Sequence, residues 1–175
     1  MDDDQAPRSP EDVRKFFDAW LDRANTGNWD AFAEMMHPDI VLTDPMMPEP
    51  AHGRADALER AKGQYEPFPD GRAEIVGEPF VSVEEPALAY QWRFTGTHLH
   101  RIDPPGFAPT GRVVSVAGTS VLRFRDRQVA DVRLFFDTTD VARQLLAAPP
   151  AGSPAERVIA IAQRIRARSS RRSRR

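Results

Sequence analysis

The stretch from residue 73 to residue 136 constrains the fold most. It holds five segments, 73–76, 80–83, 88–98, 112–124 and 128–136, rich in β-branched and aromatic residues and bounded by Gly, Pro and Asp. In the third of these, Leu88, Tyr90, Trp92, Phe94 and His98 share one face, an apolar row ending in an imidazole. In the fifth, Ala130, Val132, Leu134 and Phe136 do the same. A period of two is the pattern of a sheet with one buried face. Asp126-Arg127 lies where a hairpin turn joins the last two segments.

The chain ahead of these strands reads differently. Ser9-Pro10-Glu11-Asp12 is a helix start, with Ser at the N-cap, Pro in the first turn and acids facing the helix dipole. Val13, Phe16, Phe17, Trp20, Leu21 and Ala24 then follow at spacings of three and four, which makes one apolar stripe. Asn25-Thr-Gly-Asn28 ends that helix, and residues 29–36 read as a short second one. Residues 40–43 read as a strand, 44–50 as a Pro-rich connection and 54–64 as a third helix. Helices first and an antiparallel sheet after predict an α+β domain, with the helices on one sheet face.

A chain of 175 residues is long enough to bury a real core, and 41% hydrophobic with 29% charged residues argues against wholesale disorder. Lack of Cys removes disulfides and thiol nucleophiles. The four His lack metal-ligand spacing, and no Gly-rich phosphate loop or nucleophile elbow occurs. The expectation is therefore no metal and no cofactor. No apolar run is long enough to span a bilayer, and Met-Asp-Asp-Asp-Gln is unlike a signal peptide, so a cytoplasmic protein without membrane contact is expected. From Arg157 onward there are eight Arg and no acid, so the net −2 of the chain leaves −10 on residues 1–156. An acidic body argues against nucleic-acid binding there; the basic tail could contact nucleic acid or simply be solvated. The expected organisation is a disordered acidic N-terminus at 1–8 and a folded domain at 9–148. A linker and amphipathic helix follow at 149–168, then a disordered basic tail at 169–175. Ser153-Pro154-Ala-Glu156 is a capping box for that last helix.

Two residues stand out as chemistry. In Ile40-Val-Leu42-Thr-Asp44, alternation puts the carboxylate on the face of Ile40 and Leu42. If that face lines a cavity, loss of water raises the acid toward the range of a general base. The competing reading is an Asp-Pro turn. His98 ends the aromatic face of 88–98, where a titratable group would meet a flat hydrophobic substrate; the competing reading is a His that bonds the following loop. Phe17, Trp20, Tyr90, Trp92 and Phe94 are candidates for the wall of a substrate pocket or for plain core.

The order Asn25-Thr-Gly-Asn-Trp-Asp, His37-Pro-Asp, Leu42-Thr-Asp-Pro, His52-Gly-Arg54, Gly96-Thr-His, Pro109-Thr-Gly-Arg112, Phe-Asp137 and Gln144-Leu145 resembles the SnoaL-like polyketide cyclases. These belong to the nuclear-transport-factor-2-like superfamily, and the resemblance spans residues 10–146. It implies a cone-shaped, curved, mostly antiparallel sheet wrapped around the N-terminal helices. It also implies cofactor-independent acid–base chemistry on a hydrophobic polyketide- or steroid-like molecule, and a homodimer. Asp137 falls where such cyclases carry an acid–base Asp, although its strand must bend or end near Phe136 to aim it inward. Asp44 resembles the base of the related ketosteroid isomerases, whose oxyanion-binding Tyr and Asp are replaced here by Trp20 and Ser120. The Arg-x-Asp pair of limonene-epoxide-hydrolase-like proteins is reduced to Arg93-Phe-Thr95, with Leu134 at the place of a further Asp, which disfavours epoxide hydrolysis. The resulting expectation is an aldol-type cyclase or an isomerase with Asp44, His98 and Asp137 as catalytic residues. Phe17, Trp20, Tyr90, Trp92, Phe94 and Ser120 are expected to contact substrate. The alternative is a non-catalytic ligand-binding or scaffold protein of the same fold.

Overall fold

In a computed structural model, which describes residues 6–103 and 106–172, the helices are α1 (Pro10–Asn25), α2 (Trp29–Glu34), α3 (Gly53–Tyr65), α4 (Thr138–Gln144) and α5 (Pro154–Arg172). The strands are β1 (Met36–Thr43), β2 (Ala51–His52), β3 (Arg72–Ile75), β4 (Phe80–Val81), β5 (Ala87–Thr97), β6 (Val113–Arg125) and β7 (Gln128–Phe136). The sheet runs β2-β1-β7-β6-β5-β3, with β4 also on β5, and it curls without closing. Every pairing is antiparallel except β1 on β7. This is the α+β architecture expected. The N-terminal acids 1–5 and the tail residues 173–175 lie outside the described residues.

Local chemistry places the ends of these elements. Ser9 caps α1 by accepting from the Asp12 N–H, and Asn28 caps α2 by accepting from Ala31. The stripe on α1 packs Val13, Phe17, Trp20 and Ala24 into the core together with Ile40, Leu88, Leu122 and Val129. Asp126 and Arg127 both adopt positive φ, 51° and 60°, and form the tight turn between β6 and β7. Two left-handed residues match the twist of a β-ribbon, the geometry of a primed turn.

Several boundaries differ from expectation. Chain 29–36 divides, with α2 ending at Glu34 and Met36 opening β1, because Met36 pairs with Val129 across the sheet. The two residues of β2 are too few to show a period. Helix α4 follows Asp137 directly, where no separate helix was expected. Ala6 is buried in the core, inside a segment expected to be disordered. At the other end α5 reaches Arg172, past the expected limit at 168. Its Val158, Ile159 and Ile161 are exposed, so this face does not pack on the body. Ser153 does accept from the Glu156 N–H, and Glu156 accepts in turn from Gly152 and Arg143.

Candidate active site

Between the concave sheet face and helices α1, α2 and α3 lies a cavity of about 660 Å³. That is ample for a drug-sized ligand. Its wall is largely aromatic because α1 and β5 both turn their apolar faces to the same space. Trp20 comes from α1, Trp29 and Phe32 from α2, and Tyr90, Trp92 and Phe94 from alternate positions of β5. Strands β6 and β7 add Val116, Ser120, Leu134 and Phe136.

Asp44 is the carboxylate at this wall that follows β1, and it is 5% exposed. Its Oδ1 accepts from the Met46 N–H at 2.8 Å, a turn bond of the Asp-Pro-Met segment. Its Oδ2 accepts from Gln64 Nε2 at 2.8 Å. The first bond fixes the side chain to its own loop; the second ties it to the last turn of α3. Together they hold a carboxylate among apolar groups with one rotamer defined. An acid so placed can take a proton from a bound carbon acid, since the oxygens keep further lone pairs.

Tyr65 was not foreseen, and it sits on the same wall. Its ring meets Trp29 and Phe94 edge-on at centroid distances of 5.6 and 5.4 Å. Its hydroxyl donates to Asn25 Oδ1 at 3.4 Å. Asn25 also bonds both main-chain groups of Ala73, so it joins the end of α1 to β3. Burial pushes the Tyr65 phenol well above its ordinary value, and Tyr90 moves the same way for the same cause. Both phenols are therefore neutral proton donors across the physiological range. Gln64 and Tyr65 escaped notice because α3 is largely polar and its apolar residues carry little periodic signal. Only contact with Asp44 and Phe94 distinguishes them.

Of the expected site residues, Asp44, Trp20, Tyr90, Trp92, Phe94 and Ser120 converge on the cavity. Phe17, His98 and Asp137 do not line it. Phe17 is buried behind Tyr90, with ring centroids 4.6 Å apart, and serves as packing beneath the wall. His98 is 0% exposed and lies on the far side of Phe68, 5.4 Å between ring centroids. Its Nδ1 is 3.2 Å from Thr110 Oγ1, and its main chain pairs with Gly111 and Arg112. Gly-Thr-His and Pro-Thr-Gly-Arg are thus two sides of one loop closure. Nε2 of His98 is buried without a hydrogen-bond partner, and burial lowers the imidazole pKa. Asp137 is exposed. The strand does end at Phe136 as its role required, but the carboxylate then turns to cap α4. There Oδ1 accepts from the N–H groups of Thr139 and Asp140 at 2.8 and 3.0 Å. Among the described residues, no three His, Asp or Glu side chains gather as metal ligands, and no helix is long and apolar enough to cross a membrane.

The family profile described as SnoaL-like polyketide cyclase matches residues 11–145. The chain belongs to the SnoaL-like polyketide cyclase family. Solved structures of the same fold agree with this. A candidate SnoaL-like polyketide cyclase from Jannaschia sp. CCS1 is 25% identical over 82% of this chain and 99% of its own, with a TM-score of 0.66. A candidate polyketide cyclase from Acidithiobacillus ferrooxidans is 26% identical over 78% and 93%, with a TM-score of 0.59. AclR of Streptomyces galilaeus, described as a candidate hydroxylase, shares the fold at 21% identity over 81% and 89%, with a TM-score of 0.66. No curated protein matches.

Proposed function

We propose that this SnoaL-like protein is an enzyme of the cyclase or isomerase type, acting on a hydrophobic polyketide-like ketone with Asp44 as general base. The observation that carries the reading is a single buried carboxylate, held by Gln64 and Met46, at the wall of an aromatic cavity. Asp44 takes an activated α-proton, and the resulting enolate carbon attacks a second carbonyl carbon of the same molecule. The new alkoxide recovers the proton from the Asp44 carboxyl, so the protein ends unchanged. The cavity's share is to fold a flexible chain so that the two carbons meet away from water. A cytoplasmic homodimer completes the proposal.

The test needs no natural substrate. 2-Tetralone has activated α-protons, and their exchange for deuterium can be followed by NMR in heavy water. The protein should accelerate exchange over buffer, and Asp44→Asn should remove about 100-fold or more of that acceleration. Retained acceleration in the variant sinks Asp44 as base. A second reading, a ligand-binding protein without turnover, is favoured by one feature: both Asp44 oxygens already serve local hydrogen bonds. It predicts that 2-tetralone binds while exchange stays at the buffer rate.

A further inference from the structure

Helix α5 lies beyond residues 11–145, the span that the family profile matches, so the family's fold does not account for it. Its 19 residues make a rod of about 28 Å at 1.5 Å per residue. Val158, Ile159, Ile161 and Ala162 fall on one side of it by helical spacing. The first three are 64%, 56% and 54% exposed, so the folded body does not cover that side. Arg157 and Arg164, seven residues apart, share the neighbouring flank and are exposed as well. Over its length α5 carries six Arg, no Lys and one acid, Glu156. That acid turns back to Arg143, at 3.0 Å, and to the Gly152 N–H, so it holds the first turn to the domain rather than offsetting the Arg beyond it.

An occupant of this helix has to satisfy an apolar stripe and a row of guanidinium groups together. Nucleic acid would neutralise the Arg but leave Val158 and Ile161 in water. A second α5 would cover the apolar side but bring six Arg against six. The outer sheet face of another copy, where Phe135 and Val113 are exposed, has its acids already engaged: Glu74 with Arg93, Glu85 with Arg123, and Asp131 with Arg123 and Arg133. An anionic lipid bilayer meets both demands, since acyl chains take the aliphatic side chains and lipid phosphates take the Arg. The acidic body is no obstacle, because at physiological salt its field decays within about 8 Å.

We propose that α5 docks the protein on an anionic membrane surface, lying in the interface with Val158 and Ile161 turned into the lipid. Docking of this kind needs no spanning segment, so the lack of one does not argue against it. The proposal is independent of Asp44 and of the cavity.

The test uses the full chain and vesicles of equal parts phosphatidylglycerol and phosphatidylcholine, with binding read by co-flotation. The protein should float with these vesicles and not with phosphatidylcholine alone. Val158→Ser with Ile161→Ser, which leaves the charge unchanged, should weaken binding about tenfold or more. Arg157→Glu with Arg164→Glu should weaken it about 30-fold. Both variants should keep the parent's melting temperature, because the side chains they change are exposed. The chain has no Cys, so Ile161→Cys gives one attachment point for a polarity-sensitive dye. Its emission should shift to the blue on the mixed vesicles, whereas the same dye on Arg157→Cys should shift less. No flotation overturns the proposal, and so does equal flotation with phosphatidylcholine alone. Undiminished binding by the Ser variant, or a dye at residue 161 that stays in water, shows a purely electrostatic contact and also overturns it. If a single-stranded oligonucleotide strips the protein from the vesicles and binds the Ser variant as tightly as the parent, the partner is nucleic acid and the membrane reading falls. If the Ser variant is a monomer where the parent is a dimer and neither floats, the helix pairs with a second copy instead.

Discussion

At the scale of single residues, Asp44 is kept at the cavity, whereas His98 and Asp137 are removed from it. His98 is buried with a lowered pKa, so the unfolded chain takes up its proton more readily than the folded one. Stability is then complete above about pH 6.5 and declines as the pH falls from there toward the depressed native value. Thermal melts between pH 7 and 5 should show this slope, and His98→Gln should flatten it. Identical slopes for the two proteins would rule His98 out as its source. Asp137 bonds two main-chain N–H groups at the start of α4 while exposed to water. Asp137→Ala should therefore lower stability by about 1 kcal/mol, the usual worth of an N-cap. It should leave deuterium exchange of 2-tetralone unchanged, whereas loss of exchange without loss of stability would restore Asp137 as a catalytic group.

At the scale of elements, the cavity depends on how β5 and β6 meet. Trp92 reaches Ser120 by laying its ring across Gly118. A Cβ at Gly118 would stand 2.4 Å from Trp92 Cζ2 and 2.7 Å from the carbonyl oxygen of Phe135. The second neighbour is backbone and cannot yield easily. Gly118→Ala should thus cost about 1–3 kcal/mol by overpacking. It should also displace the indole from Ser120, visible as a shift in tryptophan emission. A melting temperature and an emission spectrum equal to those of the parent protein would show that the strands simply open. This pairing was not legible beforehand. Alternation identified which side chains share a face, but the partner of each residue depends on the register of two strands that are not adjacent in the chain, here Trp92 with Gly118.

At the scale of the whole molecule, the curled sheet leaves apolar side chains on its outer side. Phe135 and Val113 are exposed, each next in sequence to a residue that lines the cavity. A second copy packing on this face would remove them from water. Sedimentation equilibrium should give twice 19.7 kDa for the chain, and Phe135→Glu should shift it to the monomer. A monomer mass for the parent chain at micromolar concentration defeats this. Helices-then-strands order, the period-two faces, the Ser9 and Ser153 caps and the Asp126-Arg127 turn were all set by neighbours in the chain. Side-chain period and capping act over a few residues, so sequence alone determines them. That Asp44 reaches the cavity while Asp137 and His98 do not was decided by tertiary structure. Asp137 is turned outward by a helix whose start it caps, and His98 is covered by Phe68 and held by Thr110. Gln64 and Tyr65 gain their place through contacts with Asp44, Trp29 and Phe94 from other elements. Such contacts exist only once the sheet has curled around the helices.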